Sequence, residues 1–237
     1  MIQQTITVAG AAVPGTAPAC DRATRVTKTL LAYGVIAGPL YILVSVAQAL
    51  TRDGFDLTRH EWSLLANGAL GWIQITNLVV TGLMTVAFAV GLRRALRPGR
   101  GGTWAPRLVG AYGVGLVGAG VFRADPALGF PPGTPPGAAA VSWHGMLHIT
   151  LGGIGFLCMI AACLVVARRF AAEGRRGWAR FSRATAVAFL AGFAGVASGA
   201  GNAAINLAFT AAVVLAWAWV SALAAHLYRR AAHGTDS

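Results

Sequence analysis

Six long apolar stretches divide this chain of 237 residues, and they leave little room for any other architecture. They run from Leu30 to Leu50, Trp72 to Leu92, Leu108 to Phe122, Trp143 to Val166, Ala184 to Gly201 and Ala203 to Leu227. A helix that crosses the hydrocarbon core of a bilayer needs about 20 mostly apolar residues, and no other segment here is long enough. The third stretch is short and can start nearer Trp104. The fifth and sixth are separated only by a tight turn at Gly201 and Asn202. Only 11% of the residues are charged, about half of what a soluble domain carries. The pattern predicts an all-α, polytopic membrane bundle of six transmembrane helices over 28–230. It is flanked by a disordered tail, 1–27, and a short C-terminal tail, 231–237. The N-terminal segment has no basic start followed by an apolar core, so it does not read as a signal peptide.

The formal charge of +12 looks at first like a nucleic-acid signature, but its distribution argues against one. Six spans place both termini on one side. That side collects sixteen of the 19 lysines and arginines, in the two tails and in the loops after spans two and four. Only Arg52, Arg59 and Arg123 lie on the other side. By the positive-inside rule both termini are cytoplasmic and the protein belongs in the plasma membrane. The arginines form short runs at helix ends with no folded basic domain behind them. Their partners are anionic lipid headgroups, and no nucleic acid is expected. Trp62, Trp72 and Trp143 fall at the outer interface, and Trp104 and Trp178 near the inner one. Cys20, Cys158 and Cys163 build no outer disulfide framework.

Small residues recur at four-residue spacing in Gly34 and Gly38, in Ala111, Gly115 and Ala119, and in Gly195 and Gly199, which lets helices approach closely. Polar side chains inside spans are costly, so their depth is informative. Ser45, Gln48, Gln74, Thr76, Asn77, His144, His148, Thr150, Asn202 and Asn206 fall within one or two turns of the outer surface. This layer predicts a hydrated pocket opening outward. Gly54 to Gly71 reads as an interfacial helix over its mouth, with Leu57, Leu64 and Leu65 on one face and Arg59, His60, Ser63 and Asn67 on another. The Pro/Gly-rich loop from Arg123 to Gly137 then leads to Ser142-Trp143-His144.

His144 and His148 are four residues apart on one helix and share a face. With Asp125 as a third ligand they form a candidate metal set for zinc, and Glu61 is a candidate general base for a metal-bound water. The catalytic candidates are therefore His144, His148, Asp125 and Glu61. Arg59, His60, Ser63, Gln74, Asn77 and Asn206 are the candidate contacts to a substrate. The blander reading has the histidines and Asp125 hydrogen-bonding across the bundle and holding the loops down, without a metal. Haem is a further option: bis-histidine ligation needs two histidines at one depth on different elements, and His60 could face His144, whereas His226 lies at the opposite membrane face and cannot join them. A proton-coupled transporter is a further alternative, although no internal repeat is visible.

Several of these residues resemble a bacterial membrane family. The run Gly54-Phe55-Asp56-Leu57-Thr58-Arg59-His60, Ser63-Leu64 after it and the Gly-Trp start of span two are similar to its first outer loop. Gly38-Pro39-Leu40, Gly120-Val121-Phe122 before Asp125-Pro126, and His144-Gly145 with Leu147-His148 also fit, in order, from Leu30 to Leu227. The family is catalogued as domain of unknown function nine hundred and ninety-eight. Asp53 stands where the family often has a proline, and Arg123-Ala124 where it often has Phe-Pro. The resemblance implies a small multi-helix membrane protein without a settled reaction, with signature positions at Arg59, His60, Ser63, Asp125, His144 and His148. The best-supported reading is an outer pocket that binds or processes a lipid-like or small amphipathic molecule. If it is an enzyme, a membrane-embedded hydrolase-like or cyclase-like activity fits. The alternatives are a non-catalytic structural or accessory bundle and a small-solute transporter. The sequence does not fix an oligomeric state.

Overall fold

The computed structural model describes residues 17–137, 140–199 and 201–233. Six α-helices account for most of them: α1 (Ala17–Thr51), α2 (Gly71–Leu96), α3 (Trp104–Val121), α4 (Trp143–Ala172), α5 (Arg176–Ala197) and α6 (Ala203–His233). A single 3₁₀ helix, Trp62–Ala66, lies between α1 and α2. Each helix packs against the next, and α6 returns to α1, so the bundle closes into a ring.

Among the described residues four helices are long and apolar enough to cross a membrane: Arg22–Thr51, Gly71–Leu96, Trp143–Ala172 and Ala203–Ala231. The chain is thus a multi-pass, membrane-type helical protein. The six-span expectation is met in helix number but not in helix character. Helix α3 has only 18 residues, and α5 carries Arg176, Arg180 and Arg183 in its first turns. The outer surface is apolar where a soluble protein would be charged. Ile36, Leu43 and Leu50 line one exposed face of α1 at seven-residue spacing, and Leu83, Val90, Ile149 and Leu157 are exposed on α2 and α4. A helix apolar on both its packed and its open face is one whose solvent is lipid.

Close helix crossings run antiparallel and are made by glycine. A Cβ at Gly82 would stand 2.7 Å from the Gly113 carbonyl oxygen, and one at Gly113 would stand 2.7 Å from that of Gly82. Helices α2 and α3 therefore touch backbone to backbone. Gly115 meets Gly155 and the Leu151 carbonyl where α3 crosses α4, while Gly34 and Gly38 admit Phe88, Trp217 and Ser221 from α2 and α6. In two of the three small-residue sets expected from sequence the glycines thus sit in contacts. At the third, Gly195 lies against Ile205, but Gly199 faces open space.

Helix α1 begins at Ala17, well before the Leu30 at which the first apolar stretch starts. Arg94 explains the extension, since its Nε donates to Thr27 Oγ1 at 2.8 Å and its Nη2 to the Ala23 carbonyl. Residues 1–16 and 234–237 lie outside the described residues. Similar contacts gather the other arginine runs at the same end. Arg169 Nη1 donates to the Leu96 and Arg100 carbonyls at 2.9 Å each, and Arg175 donates to His226 Nε2 at 2.5 Å. The opposite end carries the loops 52–70 and 122–142 and the α5–α6 turn.

Candidate functional site

The two long loops at that second end are locked together. Asp56 starts a turn by accepting from the Thr58 amide and hydroxyl, at 2.8 and 2.7 Å. Gly54 and Gly68 both have φ of +75°, a left-handed conformation that interrupts a helix. These features explain why residues 54–71 do not form the expected interfacial α-helix. Only one 3₁₀ turn forms, and it is pressed inward with Trp62, Leu64 and Leu65 buried. Arg52 holds its C-terminal end, donating to the Leu65 and Asn67 carbonyls at 3.0 and 2.6 Å beneath the ring of Phe130.

His60 sits in this interlock, only 2% exposed, between Phe55 and Phe130. Its Nδ1 accepts from the Asp56 amide at 2.9 Å, so Nε2 carries the proton and donates to the Leu128 carbonyl at 3.1 Å. Arg59 Nη2 donates to the same carbonyl at 3.1 Å. Both residues proposed as substrate contacts therefore face the second loop. Asn206 behaves likewise: its Nδ2 donates to the Leu57 carbonyl at 2.8 Å and ties α6 to the first loop.

Gln74 and Asn77 are also placed differently from expectation. With Ser45 and Gln48 they form a buried polar knot between α1 and α2. Gln48 Nε2 donates to Gln74 Oε1 at 2.8 Å, Gln74 Nε2 to Ser45 Oγ at 3.2 Å, and Asn77 Nδ2 to the Tyr41 carbonyl at 3.1 Å. A lipid-embedded polar group must find such a partner within the protein. The depth of this polar layer was legible from the sequence, but the direction in which its side chains point was not.

A cavity of about 530 Å³ lies directly under the locked loops. Its floor and walls come from the loop-proximal turns of the helices, with Tyr41, Tyr112, Phe156, Phe193 and Phe209 among them. Gly152 and Gly153 leave α4 bare on the cavity side, and the wall continues onto Val196 and Ala197 of α5. Four polar residues stand at the loop end: Glu61, Ser63, Asp125 and His148. The volume lies within the range of small-molecule sites, about 300–1,000 Å³, and an apolar body with a few converging polar groups is their usual lining. The aromatic walls were not anticipated. The Gly152-Gly153 pair was the one available signal for them.

His148 is 9% exposed, and its Nδ1 lies 2.9 Å from the carbonyl oxygens of both Ala119 and Phe122. Two acceptors require a donor, so Nδ1 carries a proton. Nε2 has no partner among the described residues, and His148 lines the cavity. Burial raises the Glu61 carboxyl above its ordinary value, while its own backbone amide, His60 and His148 pull it back down. Asp125 accepts from the Ser142 amide at 2.8 Å and from the Ser142 hydroxyl at 2.5 Å. Ser142 Oγ in turn accepts from the Gly145 amide and caps α4.

His144 does not join this set. It is exposed and lies 3.6 Å from the Trp143 ring, centroid to centroid, with Phe122 beyond it. Among the described residues no three His, Cys, Asp or Glu side chains come together to hold a metal. The set of His144, His148 and Asp125 proposed for zinc is therefore not assembled, because one histidine points away and the carboxylate is bound to Ser142.

The fold and cavity define a multi-helix membrane protein with an amphipathic chamber at one end. The family model described as protein of unknown function (DUF998) matches residues 35–226, and the chain belongs to that family. No curated protein and no solved structure matches it.

Proposed function

We propose that this protein holds a lipid-like amphiphile in the cavity, with the polar head at Glu61, Ser63, Asp125 and His148 and the apolar body between Phe156, Phe193 and Phe209. The observation that carries this reading is the segregation of the lining: its carboxylates, Ser63 and its histidine stand at the loop end, and apart from Thr210 and two tyrosine hydroxyls the rest is aromatic, aliphatic or glycine. A small hydrophilic solute would leave those walls unsolvated, whereas an amphiphile matches both halves. Glu61 and the free Nε2 of His148 are the pair placed to exchange a proton with the head of the bound molecule.

In this reading all six helices span the plasma membrane with both termini cytoplasmic, and the cavity belongs to the outer leaflet. The gathering of the arginine runs at the other end supports that orientation. Helices α3 and α5 are each flanked by two apolar, span-length neighbours, so a transverse path suits them too.

A second reading, a non-catalytic bundle, has its own support. Arg59, His60 and Asn206 all bond loop backbone. The experiment that separates the two uses Gly152, which lines the cavity and has open space where a Cβ would be. Protein purified in an uncharged detergent is extracted and its co-purifying lipids are weighed by mass spectrometry. Wild type should retain an amphiphile stoichiometrically, and Gly152→Trp should lose it while keeping its thermal stability. If wild type retains none, or Gly152→Trp retains it undiminished, the cavity reading is wrong.

A further inference from the structure

The polar end of the cavity restricts the head that it can accept. Its lining includes two carboxylates, Glu61 and Asp125, yet no lysine or arginine. The arginines nearest in sequence are directed elsewhere. Arg59 is on the Leu128 carbonyl, Arg52 on the 3₁₀ helix, and Arg123 is exposed outside the lining. His60 spends both ring nitrogens within the loops, on the Asp56 amide and the Leu128 carbonyl. His148, nine-tenths buried, gives its Nδ1 proton to two carbonyls and leaves Nε2 without a partner among the described residues. The carboxylates facing the space thus accept hydrogen bonds, and no lysine or arginine of the lining balances them.

An anionic head, phosphate or carboxylate, would meet like charge in a low-dielectric chamber with no lysine or arginine to balance it. A head bearing N–H donors and a positive charge meets the reverse. It pairs with Glu61 by a charge-assisted hydrogen bond. We infer that the cavity selects a cationic amphiphile, a single-chain alkylammonium, over anionic and uncharged amphiphiles of the same length. This inference rests on the amphiphile reading above and specifies its head.

The test measures retention of dodecylamine, dodecanol and dodecanoate by the full-length protein in uncharged detergent micelles, by equilibrium dialysis, at neutral pH. Dodecylamine should bind at one per chain, about tenfold more tightly than dodecanol, the increment of one charge-assisted hydrogen bond, with dodecanoate weakest. Glu61→Gln should erase the advantage of the amine over the alcohol while leaving alcohol binding in place. Asp53→Asn, an exposed acid outside the lining, should change neither. Equal or tighter binding of dodecanol or dodecanoate by wild type would overturn the head selectivity but leave the amphiphile reading standing. So would an amine preference that survives Glu61→Gln. Saturable binding of none of the three would overturn both.

Discussion

The Asp125 carboxylate grips Ser142 by both its amide and its hydroxyl, at 2.8 and 2.5 Å, seventeen residues away across the Pro/Gly-rich loop. The contact closes that loop and puts a negative charge at the N-terminus of α4, where the helix dipole favours it. Asp125→Ala should therefore destabilise the protein by about 2–3 kcal/mol, through loss of two charge-assisted hydrogen bonds and a dipole partner. Ser142→Ala should cost about 1 kcal/mol as a lost N-cap. The double variant should be less destabilised than the two effects added, because both act on one contact. Thermal unfolding in detergent measures all three, and strict additivity would disprove the coupling.

His60 and Leu128 form the second tie. Leu128 has φ of +57°, a left-handed conformation that costs a leucine about 1–2 kcal/mol. Leu128→Gly should be tolerated, with relief of strain offsetting the extra freedom of the unfolded chain. Leu128→Val should destabilise by about 1–2 kcal/mol more than Leu128→Gly, since a branched Cβ fits that region worst. His60→Ala removes the donor to the Leu128 carbonyl and opens a void between Phe55 and Phe130, and should cost about 2–4 kcal/mol. The readout is the thermal midpoint together with protease sensitivity of the two loops. A His60→Ala variant as stable as wild type would show that the loops are held elsewhere.

The glycine crossings make a sharper contrast. Gly82→Ala and Gly113→Ala each place a methyl 2.7 Å from a backbone carbonyl oxygen, which no rotamer can relieve. Either should cost about 1–3 kcal/mol as overpacking and lower the yield of folded protein. Gly110→Ala, whose nearest atom lies 3.5 Å away, and Gly152→Ala, with nothing within 4 Å, should be neutral or slightly stabilising, since alanine is the better helix former. Folded yield by size-exclusion chromatography distinguishes the pairs. Equal behaviour of Gly113→Ala and Gly110→Ala would refute the α2–α3 contact.

These contacts mark where sequence reading stops. The helices were legible because lipid imposes one requirement on every residue of a span, and α2, α4 and α6 start within a residue of expectation. The polar layer was legible in depth for the same reason. Azimuth was not: Asn77 turns onto the Tyr41 carbonyl, His144 onto Trp143, and only His148 reaches the cavity. Residues 54–71 misled because the i, i+7, i+8 spacing of Leu57, Leu64 and Leu65 suggested a helix. The Asp56 turn and two left-handed glycines outweigh that pattern. The aromatic walls were marked only by the Gly152-Gly153 pair, since Phe156, Phe193 and Phe209 look like any core residues until three helices bring them together.

Glu61 gives a pH signature. Burial raises its carboxyl in the folded protein, against smaller opposing effects of its backbone amide, His60 and His148. The folded form therefore holds this proton more tightly than the unfolded chain. Its stabilising contribution is complete below the ordinary carboxylate value and is lost as pH rises through the raised one. Glu61→Gln keeps the shape and removes the titration. The variant should match wild type at acid pH and unfold at a higher temperature at neutral pH. Parallel curves of thermal midpoint against pH for the two proteins would show that Glu61 is not held in this environment.

Orientation can be tested without reference to the cavity. The arginine runs gather at the end opposite the locked loops, and an arginine-rich face stays on the cytoplasmic side. Gly133 lies in the Pro/Gly-rich loop at the other end, exposed, with nothing within 4 Å of a Cβ there. A cysteine placed at that position, in a background lacking Cys20, Cys158 and Cys163, should react with a membrane-impermeant maleimide in intact cells. A cysteine at Gly174, equally open in the α4–α5 turn, should react only after lysis. The pair also tests the number of crossings between them, because Gly133 and Gly174 flank α4 alone. Labelling of both from outside would mean that α4 does not span, and the reverse pattern would invert the protein in its membrane.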